Sequence, residues 1–394
     1  MKDKVILHLA NDFSGSQVYM NLFKEIDELG VSQIIYNAIR KGVEKGKNYI
    51  DLNSPNSKII YSGILNYVAD RLFFKKKIKK IFNDVIEKVD VSAVQYVHAH
   101  TWYSDGGVAY LLFKKYNLPY VITVRSTDVL VFHKYLLHNR ELGKKIIQNA
   151  SKIIFVTPAY QKKVFRLWPN DNVLLLSKQK TEILPNGIDK YWLDNAALPA
   201  PIENKKTVKN INILCISSFI KRKNITLLQD AVISLSTEVS IPIKLHIVGG
   251  GGDDRNERKI KDKINAHPDL FTFHGKIKDK CKLMLLYRNS DIFALPSRRE
   301  TFGLVYIEAL TQGLPVLYTN EDGIDGLFNE KIGEKIFKFT NEELKSKLKI
   351  MINHLDKYTP PINTIIEDLN WSSIANKYYL LIYKYMSNSN VHNI

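Results

Sequence analysis

The chain is 394 residues long, too long for one compact core and suited to two domains of roughly 150–200 residues each. Hydrophobic residues make up 45% and charged residues 25%, which excludes wholesale disorder. Lys and Arg number 57 against 40 Asp and Glu, a net charge of +17 that favours an anionic partner: nucleic acid, phosphate or an anionic membrane.

The excess is uneven. Residues 1–190 hold 29 basic and 17 acidic side chains (+12), and residues 191–394 hold 28 and 23 (+5). Two cysteines cannot build a disulfide framework, and Cys215 sits in the apolar run Ile213–Ile216, so a reducing, cytoplasmic setting is expected. Residues 1–10 show no signal-peptide architecture, and no apolar run approaches the roughly 20 residues of a spanning helix. The chain is expected to be soluble, or at most bound at the inner face of the cytoplasmic membrane.

Short β-branched runs alternate with helical patterns, the mark of parallel α/β layers. Val5–Leu9 is predicted as a strand, Asn11–Ser16 as a loop, and an amphipathic helix follows to about Leu29. Further strands are predicted at Ile34–Tyr36, Val94–Ala99, Tyr120–Val124, Lys152–Val156 and Thr181–Leu184. Helices fill the intervals, one of them from about Asn66 to Val89. The polar, Pro-bearing stretch Leu198–Lys206 reads as a linker. The pattern then restarts with strands at Ile211–Ile216, Ile243–Val248, Phe271–Phe273, Asp291–Leu295 and Pro315–Tyr318. Helices are predicted at Ile225–Leu235, Leu283–Arg288 and Leu304–Thr311, and a last one at Trp371–Met386. The expected organisation is a doubly wound domain over 1–195, a linker over 196–210, a second such domain over 211–370 and a C-terminal helix over 371–394. Tandem domains of this kind place a ligand in the cleft between them.

Several phosphate and metal signatures are missing. There is no Walker A sequence, no three-glycine dinucleotide fingerprint, no His-Glu-x-x-His and no Asp-x-Asp. His98 and His100 alternate on a predicted strand and share a face, but no third ligand has an evident spacing, so no metal is expected. The most informative segment runs from Asp291 to Val316. A buried strand ends at Leu295, Pro296 and Ser297 break it, and a helix begins near Gly303. The start of a helix leaves backbone N–H groups unpaired and is a natural diphosphate seat. Glu300 precedes that helix and Glu308 lies on it, so both carboxylates can flank one ligand and accept hydroxyl hydrogen bonds. A dipole-favoured acid and a solvated helix face explain the same two residues.

The Glu300-x7-Glu308 segment resembles the signature of the retaining GT-B glycosyltransferases of family four. Other pieces follow in the family's order: Pro185-Asn186-Gly187-Ile188-Asp189, the glycine turn Val248–Gly251, Phe273-His274-Gly275, and the Leu285–Asp291 run. The resemblance implies two Rossmann-like domains facing a cleft, the first binding the acceptor and the second a nucleotide-diphosphate sugar, UDP- or GDP-linked. It implies Glu300 at sugar hydroxyls, Glu308 at the nucleotide ribose, and the backbone of Thr301, Phe302, Gly303 and Leu304 around sugar and diphosphate. Gly249, Gly250, Asn186, Gly15 and Ser16 would complete the donor side. The family's Arg-x4-Lys pair is only half kept: Lys223 matches the lysine, Ser218 stands in the arginine position, and Arg222 is placed to supply the charge. Val97–Gly106 resembles the family's strand-end His segment, which puts His100 at the reacting centre and His98 on the acceptor side. A second family histidine is replaced by Arg125 in Thr123–Asp128. There Arg125 and Asp128 point to anion binding, because a guanidinium stays charged and cannot shuttle a proton.

The implied reaction is sugar transfer with retained anomeric configuration and no metal or other cofactor, to a glycan or lipid-linked acceptor, in surface polysaccharide assembly. A non-catalytic relative that binds nucleotide sugars or polyanions is the alternative. Nucleic acid is not an expected partner, since no binding motif accompanies the charge. Lys75, Lys76, Lys77, Lys79 and Lys80 cluster opposite the apolar stripe Phe74, Ile78, Ile81, Phe82, Val85 and Ile86, with Phe73 beside them. Such a stretch fits either an anionic membrane surface or a helix packed on its sheet with a solvated basic face.

Overall fold

The computed structural model describes residues 5–42, 48–66, 68–168, 177–197 and 210–388. The chain forms two compact units, residues 1–187 with 371–394, and residues 188–370. The division thus falls at Gly187, eight residues before the expected boundary at 195. Most of the predicted linker, including Leu198–Lys206, lies outside the described residues.

In the first unit seven strands form one parallel sheet: β1 (Val5–Leu9), β2 (Ser32–Arg40), β3 (Lys58–Leu65), β4 (Val94–Ala99), β5 (Tyr120–Val124), β6 (Lys152–Phe155) and β7 (Thr181–Ile183). Their order is β3-β2-β1-β4-β5-β6-β7, so the winding reverses between β1 and β4. The alternation of side chains sorts them onto two faces. Val5, Leu7, Leu9, Val97 and Ala99 join one apolar layer with the helices Phe74–Lys88 and Ser104–Tyr116. Ile6, Tyr96 and Val121 join the other, covered by helix Gln17–Glu28 and the last helix Trp371–Asn388 through Trp371, Ile374, Tyr378 and Ile382.

The second unit repeats the plan with β8 (Ile211–Ser217), β9 (Ile243–Gly249), β10 (Phe271–Phe273), β11 (Ile292–Ala294), β12 (Val316–Thr319) and β13 (Gly333–Ile336). They form a parallel sheet in the order β10-β9-β8-β11-β12-β13, and the winding reverses between β8 and β11. Ligands of such sheets bind beyond the carboxyl ends of the strands at that reversal.

Strands β3 and β13 are absent from the sequence-based prediction. Both are edge strands, and Gly333-Glu-Lys-Ile336 has too little alternation to be read. The expected helix from Asn66 to Val89 is broken into Ala69–Leu72 and Phe74–Lys88, with Phe73 in a non-helical conformation between them. The basic stretch is also corrected. Lys75, Lys76 and Lys79 face solvent, whereas Lys77 turns inward and donates to Ser104 Oγ at 2.8 Å. Among the described residues, no helix is long and apolar enough to cross a membrane.

Candidate functional site

In the second unit the loop after β11 gathers the charged groups. Pro296 ends the strand, Arg299 takes a positive φ of 63°, and Gly303 a φ of 82° just before helix Leu304–Thr311. A Cβ on Gly303 would lie 2.5 Å from the Tyr306 ring and 3.0 Å from Glu300 Cγ, so the loop closes this tightly only with glycine. The Glu300 N–H donates to Asp322 Oδ2 at 3.0 Å, and the Gly323 N–H donates to the Glu300 carbonyl at 3.0 Å. These two bonds staple the loop to the turn after β12.

The Glu300 carboxylate accepts from Lys223 Nζ and, at 3.1 Å, from Ser297 Oγ; Arg222 Nη1 lies 3.7 Å away. Lys223 comes from the short turn Lys221–Lys223 after β8, where it is buried while Lys221 and Arg222 are exposed. Asn224, at φ 52°, ends that turn and ties it to the Pro296 carbonyl at 2.8 Å. The loops after β8 and β11 are therefore one constellation, cationic on one side and acidic on the other. Ser218 is exposed, and its side chain is no part of the charged group.

Glu308 is half-buried one turn into the helix and accepts from the Tyr287 hydroxyl at 2.9 Å. Burial raises its pKa to about 7, against which the Tyr287 bond acts; nearby Asp189 raises it and Lys280 lowers it. Asp189 and Lys280 are themselves paired at 2.6 Å.

The glycine turn follows β9. Gly249 has a φ of 136°, and a Cβ there would sit 1.7 Å from the Ser217 carbonyl oxygen. Gly249→Ala is expected to cost about 2–5 kcal/mol of stability, combining backbone strain with overpacking. Chemical denaturation measures it, and a loss under 1 kcal/mol would mean the two strand ends yield. The next residues hold the turn in place: the Phe219 N–H donates to the Gly251 carbonyl at 2.9 Å, and Glu257 accepts from the Gly251 N–H.

In the first unit His98 and His100 are buried, and the structure adds His8 from the neighbouring strand β1. His98 reaches the Tyr378 hydroxyl at 2.8 Å and Thr123 Oγ1 at 2.8 Å, while His8 Nδ1 and His100 Nε2 lie 3.1 Å apart. Burial lowers the His8 pKa to about 3 and holds His98 and His100 well below the usual value, so all three are neutral. The three rings offer ligand atoms within 4.8 Å of one another, the one such cluster among the described residues. An ion there would have to displace one of the two His98 bonds, to Tyr378 or to Thr123. Neither His98 nor His100 presents a ring to solvent.

Arg125 lies over the Tyr19 ring at 5.0 Å and donates to Asn186 Oδ1 at 3.4 Å. Asp128 is buried and accepts the N–H groups of Trp102, Tyr103 and Arg125 at 3.0, 3.2 and 2.9 Å. Its pKa, raised to about 6 by burial, is held down in part by those three bonds. Asp128 thus fixes the backbone that carries Arg125. Gly15 is exposed, with open space around it, and Ser16 is half-buried.

The structure brings together Glu300, Lys223 and Arg222, and places Thr301, Phe302, Gly303, Leu304 and Glu308 on the adjoining loop and helix. Sequence reasoning missed His8, Ser297, Asp322 and the bond from Tyr287 to Glu308.

Residues 17–191 match the family model Glycosyltransferase Family 4, and residues 200–359 match the model Glycosyl transferases group 1. The chain is 26% identical over 373 residues to Protein CapJ of Staphylococcus aureus, covering 88% of this chain and 89% of that one. It is 27% identical over 293 residues to the alpha-monoglucosyldiacylglycerol synthase of Acholeplasma laidlawii, covering 70% and 69%. Among solved structures, it matches HepE of Anabaena in complex with UDP and glucose at a TM-score of 0.66 and 15% identity, covering 97% and 100%.

Proposed function

The chain is a GT-B glycosyltransferase, a family 4 domain followed by a group 1 domain, and from that premise we propose that it transfers a hexose from a UDP- or GDP-linked donor with retention and without a metal. The observation that carries this reading is the joining of Lys223, Arg222 and Glu300 at the amino end of helix Leu304–Thr311. When the bond from the anomeric carbon to the diphosphate breaks, its electron pair goes to the diphosphate and positive charge develops on the sugar ring. Lys223, Arg222 and the helix start stabilise the first charge. Glu300 holds sugar hydroxyls, and Glu308 accepts from the ribose.

The backbone around Gly303 and the glycine turn Gly249–Gly250 leave room for the donor to approach within the second unit. The acceptor hydroxyl attacks the face the diphosphate leaves and gives its proton to a leaving phosphate oxygen. No protein base is then required. His98 and His100, neutral and buried, act as positioning residues at the end of β4, and Arg125, its backbone held by Asp128, forms an anion-binding corner. The acceptor is a glycan or lipid-linked molecule of surface polysaccharide assembly, met at the cytoplasmic face of the membrane; the name of CapJ is in line with the first part, and that of the Acholeplasma enzyme with a lipid acceptor. Lys75, Lys76 and Lys79 are the side chains that would meet anionic lipid.

The test is a panel of UDP- and GDP-hexoses incubated with the protein and EDTA. At least one donor is expected to be consumed as fast as with magnesium, and its transfer product to keep the donor's anomeric configuration by NMR. An absolute need for a divalent ion, or an inverted product, overturns the reading.

A further inference from the structure

A cavity of about 510 Å3 opens in the first unit, a volume ordinary for small-molecule sites. Much of its wall is apolar, formed by Leu65, Phe74, Val131, Phe132 and Leu136. Val131 and Phe132 come from the wide helical turn Asp128–His133, a kind of distortion common at functional sites. Two basic side chains line the cavity, Arg40 and Lys77, and the Lys77 ammonium donates to Ser104 Oγ, where burial lowers its pKa. Its one lining carboxylate, Asp70, is engaged by the Asn66 N–H and lies 3.8 Å from Lys80 Nζ. Along the lining itself, two basic side chains stand against one carboxylate.

The rim is apolar as well as basic. Val131 and Tyr135, which line the cavity, are 43% and 59% exposed. Leu72 and Phe73, between the lining residues Asp70 and Phe74, are 68% and 53% exposed. Large apolar side chains grouped beside a cavity mark an interaction surface, and the exposed lysines Lys75, Lys76 and Lys79 adjoin them. A glycan would find few hydrogen-bonding groups on these walls. A hydrocarbon chain with an anionic head matches both ends.

We propose that this cavity is a lipid site, taking the first part of the hydrocarbon tail of a membrane amphiphile with its phosphate headgroup against Arg40 and Lys77. The inference rests on the reading of the chain as a transferase with a lipid-linked acceptor, and it names the anchoring end of that acceptor. It differs from adsorption on a basic surface, because one molecule is held in one place.

Calorimetry on the full chain tests it with dihexanoyl-phosphatidate below its micelle concentration, glycerol phosphate, dihexanoyl-phosphatidylcholine and, separately, UDP. Phosphatidate is expected to bind one-to-one, at least tenfold tighter than glycerol phosphate, which lacks the tails, and tenfold tighter than phosphatidylcholine, whose headgroup is neutral overall. Val131→Glu and Arg40→Gln are each expected to weaken phosphatidate at least tenfold with UDP affinity unchanged. Val131 is exposed enough for the glutamate to be tolerated by the fold. Glycerol phosphate binding as tightly as phosphatidate would remove the tail from the site. Unchanged phosphatidate binding in Val131→Glu would place the lipid elsewhere, and parity with phosphatidylcholine would overturn the role of the two basic side chains. UDP binding without phosphatidate binding overturns this inference alone, whereas failure of every nucleotide donor strikes the transferase reading itself.

Discussion

Lys223→Ala is expected to lower kcat for sugar transfer by about a hundredfold or more, the cost of losing one preorganised charge at a developing anion. The donor KM should change less, because the negative charge on the bridging oxygen grows as the bond breaks and is largest in the transition state. The geometry makes Lys223 the stronger candidate of its turn: its ammonium is buried and held by Glu300, whereas Lys221 and Arg222 are exposed. Arg222, 3.7 Å from the same carboxylate, is the companion variant. Arg222→Ala should cost less, since an exposed charge is screened by solvent. Thermal melting separates folding from chemistry, because Lys223→Ala also leaves the Glu300 carboxylate without its nearest cation. Equal turnover by Lys223→Ala and the natural protein would reduce the turn to a structural ion pair. A larger loss in Arg222→Ala would transfer the role to that residue.

The parts of the site that were legible in the sequence lie where strands end at helix-breaking residues. Pro296 and Gly303 punctuate the chain, which places Glu300 on a loop and Glu308 on the helix after it, while Lys223 and Gly249 are placed by the family resemblance. What was not legible depends on convergence across the sheet. His8 and His98 are 90 positions apart and meet only because β1 and β4 pair in register at the reversal of winding. Ser297 and Asp322 carry no motif; they act through a loop and a turn that fold back on Glu300. Spacing groups Lys77 with its neighbouring lysines on the side opposite the apolar stripe. A helix turns each residue by about 100°, and Lys77 falls on the side where Ser104 waits, which spacing alone does not reveal. The edge strands β3 and β13 escaped for a related reason, since an edge has too little burial to impose clear alternation.

Nucleotide binding is expected to tighten as pH rises from 6 to 8, and Glu308 is the reason. Burial raises this carboxyl from its ordinary 4.5 to about 7, so near pH 6 it is mostly protonated in the folded chain. A ribose offers two hydroxyl donors, and the ionised carboxylate accepts both. Binding below pH 7 must then expel the proton, which weakens affinity by up to about tenfold per pH unit and levels off above 7. Glu308→Ala is expected to weaken the nucleotide by about 1–3 kcal/mol at pH 8, the range for losing hydrogen bonds to a charged group. Glu308→Gln keeps an acceptor for Tyr287 but carries no titrating proton, so its affinity should be flat across the same range. Stability follows the opposite sign. The folded-state pKa lies above the unfolded one, so this group's contribution is present in full below about 4.5 and is lost as pH rises through about 7. The melting temperature of the protein without nucleotide should therefore fall between pH 6 and 8 by more than that of Glu308→Gln. Calorimetry in two buffers of different ionisation enthalpy counts the proton released on nucleotide binding at pH 6. The same count in the natural protein and in Glu308→Gln would remove Glu308 from the ribose.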